Sequence, residues 1–184
     1  MIVFDEQQLA VFIAPATCGA EDILNLKDAD GMEQPDGFLK WKEAEDEDDH
    51  YDVAVVVENP YVRLCRLYDI YASSLRDRDI IPGRWAYFVE SVVEERVEPY
   101  LRSRITDYVG TFVPDYIIRV GDLYSELGEL GVEFSLDDQP EWDSVFTPRD
   151  YTQYPIIPQV RAWCTPDAEA YGYAGKLPKN LPTY

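Results

Sequence analysis

The sequence predicts an α+β fold, in which an antiparallel helix hairpin packs on a small mixed or antiparallel sheet and an extended aromatic, proline-rich C-terminal arm follows. Three observations predict it. The run Asp52–Glu58, DVAVVVE, is dense in β-branched residues and has the length of one strand. Two stretches, 61–77 and 85–108, place apolar side chains at steps of three and four, the spacing of one helix face. Seven of the 13 prolines lie in residues 140–184, interleaved with aromatic rings.

Taken in order, Ile2 to Ala14 reads as a short strand or helix ending at Pro15. Residues 18–42 carry the loop signals Asp30-Gly31, Pro35 and Asp36-Gly37. Residues 43–52, EAEDEDDHYD, hold like charges so densely that a solvated, mobile loop is expected. The strand Asp52–Glu58 ends at Asn59-Pro60. The first helix is drawn by Val62, Leu64, Leu67, Tyr68, Tyr71 and Leu75, and Pro82-Gly83 separates it from the second. The second runs through Trp85, Phe88, Val89, Val92, Val93, Val97, Tyr100, Leu101, Ile105 and Tyr108. Pro99 lies inside it, so a kink is expected there, or two helices meeting. The linker of 78–83 is short enough for a hairpin. Gly110 and Pro114 close this region. Tyr116–Val120 is a strand, 122–130 one short helix, and Val132–Leu136 alternates as a half-exposed strand does. The expected organisation is one domain over 1–139 and an arm over 140–184.

Composition bounds the environment. Among 184 residues, 36 acidic and 16 basic side chains give a formal charge of −20. With 46% hydrophobic and 14% aromatic residues the chain can bury a core, unlike acidic disordered chains. The charge is uneven: residues 1–58 hold 16 acids and 3 bases, 59–119 hold 9 of each, and 120–184 hold 11 and 4. Nine of the eleven arginines lie in the neutral middle. Such acidity disfavours direct nucleic-acid binding and a polybasic membrane surface, while diffuse cations are expected around it. There is no apolar run of transmembrane length and no basic leader of a signal peptide. Twenty Asp against five Lys resembles the surface composition of proteins from salt-loving archaea and their viruses, where carboxylates stay hydrated and molar salt screens their repulsion over about 3 Å. Cys18, Cys65 and Cys164 are too widely spaced for a metal knuckle and odd in number, so free buried thiols in a reducing compartment are expected.

Chemistry-bearing motifs are scarce. His50 is the only histidine and sits in the acidic run, which leaves no two-histidine metal motif. Gly175-Lys176 lacks the upstream glycine of a phosphate loop, Gly172 and Gly175 do not complete a dinucleotide fingerprint, and no nucleophile elbow occurs. Asp28, Asp30 and Gly31 form only a fragment of a calcium loop. No catalytic residue, cofactor or metal is therefore assigned. Arg63, Arg66, Arg76, Arg78, Arg84, Arg96, Arg102 and Arg104 either pair with Glu90, Glu94, Glu95, Glu98 and Asp107 or form a patch for an acidic neighbouring subunit. Partner-binding candidates are the arm residues Trp142, Phe146, Tyr151, Tyr154, Ile156, Ile157, Trp163, Tyr171 and Tyr173, since a sticky extended segment orders against its own domain or a neighbour.

The expected function is that of a non-catalytic assembly subunit, a homo-oligomer or ring within a larger complex. Its concrete form is a head–tail connector, neck or tail completion protein of a tailed virus with a salt-adapted host, present in the cytoplasm during assembly and then in the virion. A DNA-mimicking inhibitor of a DNA-binding enzyme is the alternative, and a small hydrolase with a hidden carboxylate pair comes next.

Overall fold

A computed structural model of the chain describes residues 2–5, 10–15, 17–18, 32–33, 52–78, 83–110, 113–129 and 155–176. Its elements in order are β1 (Ile2–Asp5), β2 (Ala10–Ile13), β3 (Met32–Glu33), β4 (Asp52–Val57), α1 (Pro60–Arg76), α2 (Trp85–Val93), α3 (Pro99–Arg102), α4 (Ile105–Val109), β5 (Tyr116–Arg119), a 3-10 turn (Val120–Asp122), α5 (Leu123–Glu129) and α6 (Pro158–Ala170). The chain divides into two compact units, Met1–Glu58 with Val109–Thr147, and Asn59–Tyr108 with Pro148–Tyr184. The expected strand Val132–Leu136, the acidic run 43–51 and His50 lie outside the described residues.

The first unit holds a five-stranded sheet in the order β3-β1-β2-β4-β5. Strands β2, β4 and β5 are parallel, with Val11 opposite Val53 and Val55 opposite Ile117, while β1 pairs antiparallel with both β2 and β3. Of the two sheets expected, mixed or antiparallel, the sheet is the mixed one, with a parallel three-stranded part that the sequence did not indicate. The reason lies in β4. Its residues Val53 to Val57 are all buried, on both faces, as a strand in the middle of a parallel sheet requires. Asp115 sets the register of β5, because its carboxylate accepts from the Val53 N–H at 2.8 Å and its own N–H donates to the Val53 carbonyl at 2.8 Å. Helix α5 packs on β5, and Glu126 accepts from the Arg119 backbone at 2.9 Å. The N-terminal apolar stretch, read as one strand or helix, is a pair of strands.

The second unit is helical. Asn59 caps α1 by accepting from the Tyr61 N–H at 3.1 Å, and Pro60 sits at the first helical position, where its missing N–H costs nothing. Tyr68 and Tyr71 on α1 meet Trp85 and Phe88 on α2 with ring centroids 5.1–5.6 Å apart. The broader packing of both helices, however, is on α6. The two-helix hairpin expected from the sequence is in fact a group with a third member.

That member corrects the arm. Residues 158–170, expected to be extended, form a helix, with Pro158 in its first turn and Val160, Trp163, Cys164, Ala168 and Tyr171 buried at helical spacing. Hydrogen bonds fasten residues 155–176 along their length. The Trp85 indole donates to the Pro155 carbonyl at 3.0 Å, and the Trp163 indole donates to the Arg102 carbonyl at 3.2 Å. Asp167 accepts from the Ile105 N–H at 2.8 Å, and the Asn59 amide donates to the Lys176 carbonyl at 2.9 Å.

The second predicted helix also stops early, at Val93. Of the two expected outcomes at Pro99, a kink or separate helices, the second is found: Pro99 opens the short α3.

Candidate functional site: a cleft in the helical unit

The segment 102–106, linking α3 to α4, is the hub of the second unit. Arg63 of α1 is fully buried and donates to the Ser103 carbonyl at 2.9 Å, with its guanidinium carbon 5.9 Å from the centre of the Trp163 ring. Asp167 of α6, also fully buried, caps α4 from outside. It takes the N–H groups of Ile105 and Thr106 at 2.8 and 2.9 Å and the Thr106 hydroxyl at 2.8 Å. Asp107, three residues into that helix start, reaches back to the Arg104 N–H at 2.7 Å, which is half of a capping box. These bonds satisfy the donors that a helix start leaves open.

Around this hub lies a cleft of about 290 Å³. Its apolar lining comes from Val92 and Val93 of α2 and from Ala162 and Trp163 of α6. Its polar lining is Glu95, Arg102, Ser103, Arg104 and Asp107. Arg102 is ion-paired with Glu95, and Arg104 with Asp107 at 3.2 Å. Arg96 pairs with Glu94 at 2.6 Å and with Glu90 at 3.7 Å and lies over the Tyr87 ring. The arginines of residues 96–104 thus take carboxylates of the same stretch, as the sequence suggested, whereas Arg63 does not belong to any surface patch.

The backbone of Glu95 is unusual. Helix α2 ends in a Schellman motif: the Arg96 N–H reaches the Ser91 carbonyl at 2.8 Å and the Glu95 N–H the Val92 carbonyl at 3.2 Å. Glu95 fills the left-handed position at φ 58°. Helix α6 ends the same way, with the Tyr173 N–H on the Ala168 carbonyl at 2.8 Å, and there the left-handed position is Gly172 at φ 73°. A side chain in that conformation costs roughly 1–2 kcal/mol, so Glu95 stands where glycine is favoured.

Of the arm candidates, Ile156, Trp163 and Tyr171 are buried inside the second unit and Ile157 and Tyr173 partly so. Of these, only Trp163 lines the cleft. Trp142, Phe146, Tyr151 and Tyr154 lie outside the described residues. The large apolar side chains that are exposed are others: Ile70, Tyr87, Val93 and Tyr100 in the second unit, and Val113, Tyr116 and Ile117 in the first. The left-handed turn at Glu95 was missed by sequence reasoning, which ran the helix through it, although pairing of Arg102 with a nearby glutamate was among the expectations. The one available signal was the stop at Pro99 without a glycine before it.

All three cysteines are free and buried, as the sequence suggested. Burial pushes the Cys164 thiol well above its ordinary value, with Cys65 and the Asp167 carboxylate adding to the effect and Arg63 opposing it. Such a thiol is a poor nucleophile. Among the described residues no group of three or more His, Cys, Asp or Glu could hold a metal ion, and no helix is long and apolar enough to cross a membrane.

The two units differ sharply in charge. The first holds 25 acids and 4 bases, net −21, and the second 11 acids and 12 bases, net +1.

No protein-family model, curated protein or solved structure matches this chain.

Proposed function

We propose that the protein is a non-catalytic assembly subunit that joins other protein subunits, including copies of itself, in a larger complex. The observation that carries this reading is the division of charge, −21 on one unit and +1 on the other, with the cleft and exposed apolar groups such as Tyr87, Val93 and Tyr100 on the near-neutral unit. Burying a strongly charged surface is costly, so a subunit of net charge −20 associates most readily through its neutral part. Interface cores are depleted in charge and enriched in Tyr, Trp and Arg, which this unit supplies. In its concrete form the protein is a neck, connector or tail completion subunit of a tailed virus whose host lives in strong salt, a setting that the Asp-rich, Lys-poor composition supports.

The test is the solution mass of the full chain by light scattering at low and molar salt. A defined oligomer is expected, and a monomer at every concentration and salt would overturn the proposal.

A second reading has one observation in its favour. The −21 of the first unit is the charge that a DNA mimic needs. It calls for tight binding to a DNA-binding enzyme that weakens steeply with salt. Indifference to such enzymes at low salt removes it.

A further inference from the structure

We infer that the cleft of the helical unit is a docking site for one aromatic side chain, and that its occupant is Tyr100 of a second copy of this chain. The inference rests on the assembly reading and names the contact that makes it.

The cleft selects the chemistry of its occupant. Its ionic groups are already matched, Arg102 by Glu95 and Arg104 by Asp107, so an occupant of either sign would leave one of them without its partner. The rest of the lining is largely apolar, from Val92, Val93, Ala162 and Trp163. The volume of about 290 Å³ lies at the bottom of the range of small-molecule pockets, roughly 300–1,000 Å³, and suits a single large side chain. One polar group is left over. Arg102 Nε is shielded from water and has no hydrogen-bond partner among the described residues. The Arg102 side chain is 31% exposed and its surface pair with Glu95 holds it only weakly, so the guanidinium can turn that N–H toward an incoming oxygen. A neutral ring bearing a hydroxyl meets all of these conditions: it covers the apolar lining and accepts from Nε.

The same unit offers such a group. Its exposed tyrosines among the described residues are Tyr87 and Tyr100. Tyr87 is engaged, because Arg96 lies over its ring at 5.7 Å and the ring packs so closely on Gly83 that a Cβ there would come within 2.8 Å of it. Tyr100 makes no ring contact and no hydrogen bond among the described residues. Exposed tyrosines that fill a partner's pocket are typical anchors of protein interfaces.

Geometry and charge make the donor a second copy. Tyr100 and Arg102 are two residues apart on α3, about 200° around a helix of 3.6 residues per turn. Arg102 lines the cleft and Tyr100 does not, so tyrosine and cleft lie on opposite sides of α3. Joining one copy's tyrosine to the next copy's cleft is a heterologous contact, which builds a ring if the rotation closes and a filament if it does not. The second unit carries ten of the eleven arginines and is net +1, whereas the first carries 25 of the 36 acids. A second copy therefore meets least repulsion when it approaches by its own second unit, the one that presents Tyr100.

The test uses the full chain in molar salt, with solution mass read by light scattering. Tyr100→Ala removes the anchor, and Ala162→Phe fills the cleft from an exposed position of its lining. Each alone should associate at least about tenfold more weakly than the natural chain. Mixed at equal concentration they should form a one-to-one dimer that grows no further, because one supplies the cleft and the other the tyrosine. Tyr100→Phe keeps the ring and loses only the oxygen offered to Arg102, so it should weaken association severalfold, less than Tyr100→Ala does. Val93→Arg repeats the cleft test, and circular dichroism confirms that each variant folds.

The inference is overturned if Tyr100→Ala or Ala162→Phe keeps the natural oligomer, if the mixture stays monomeric, or if the natural oligomer stops at two copies. Loss of the oligomer with Ala162→Phe but not with Tyr100→Ala means that another group fills the cleft, and removes Tyr100 as its occupant. An oligomer indifferent to both changes leaves the assembly reading standing and removes only this contact. A natural chain that is monomeric throughout removes both.

Discussion

Asp167 shows how much of the helical unit hangs on single side chains. It is fully buried and accepts three hydrogen bonds, from Ile105, from Thr106 and from the Thr106 hydroxyl. Hydrogen bonds to a charged group contribute about 1.5–3 kcal/mol, and an orphaned buried donor costs about as much. Asp167→Ala is therefore expected to lower unfolding stability by roughly 2–4 kcal/mol in urea titration, and Asp167→Asn, which keeps one acceptor, by distinctly less. Equal losses for both would show that the site works by packing rather than by capping.

Its neighbour Cys164 gives a pH test of the same packing. Its folded value is raised above the ordinary 9.0, chiefly by burial, so the folded chain holds the proton more tightly than the unfolded one. That stability is complete below pH 9.0 and declines as pH rises past it, because the unfolded chain ionises first. Cys164→Ala should flatten this alkaline decline by up to about 1.4 kcal/mol per pH unit, measured by melts between pH 8 and 10. An unchanged slope would place the thiol in contact with water.

At the scale of elements, what could be read and what could not divide along a physical line. The strand β4, the helix α1 and the succession of β5 and α5 were legible, β4 from its β-branched run and α1 from its helical stripe, whereas Asn59-Pro60 read only as the end of the strand and not as the cap it is. Helix α6 was not, because the prolines of 140–184 masked it. Two of them are compatible with a helix. Pro158 occupies the first turn, and Pro166 lies inside, forgoing one backbone bond while the buried face around it holds. The stripe Val160, Trp163, Cys164, Ala168 and Tyr171 was present all along at steps of three and four. The cleft was legible only as a cluster of arginines and glutamates, since the left-handed turn at Glu95 depends on where α2 stops, which its composition does not mark.

The consequence is a changed expectation for truncation. Removing residues 158–184 takes away the helix on which α1 and α2 both pack, together with the caps of α4. Fully burying a large apolar side chain contributes about 1.5–3 kcal/mol, and Val160, Trp163 and Tyr171 are all buried. The shortened chain should lose near-ultraviolet dichroism and expose Trp85 to quenchers rather than keep a folded core. A native-like Trp85 signal in that chain would restore the picture of a dispensable arm.

At the scale of the whole molecule the total of −20 conceals two regimes. The first unit, at −21, repels itself, and molar salt reduces the reach of that repulsion to about 3 Å. The second unit, at +1, has little long-range repulsion to relieve, and its exposed ion pairs are themselves weakened by salt. The melting temperature of the first unit should therefore rise strongly between low and molar salt while that of the second stays nearly flat. Tryptophans separate the two: Trp41 and Trp142 belong to the first unit, Trp85 and Trp163 to the second. A Trp41→Phe, Trp142→Phe chain reports the second unit by fluorescence, and far-ultraviolet dichroism follows both. Divergence of the two curves as salt falls, with the dichroism transition coming earlier, is the expected outcome. Coincident curves with the same steep salt slope would mean that the units melt as one body. A flat response from both would remove salt adaptation as the explanation of the acidity and leave the carboxylates to be explained by what they bind.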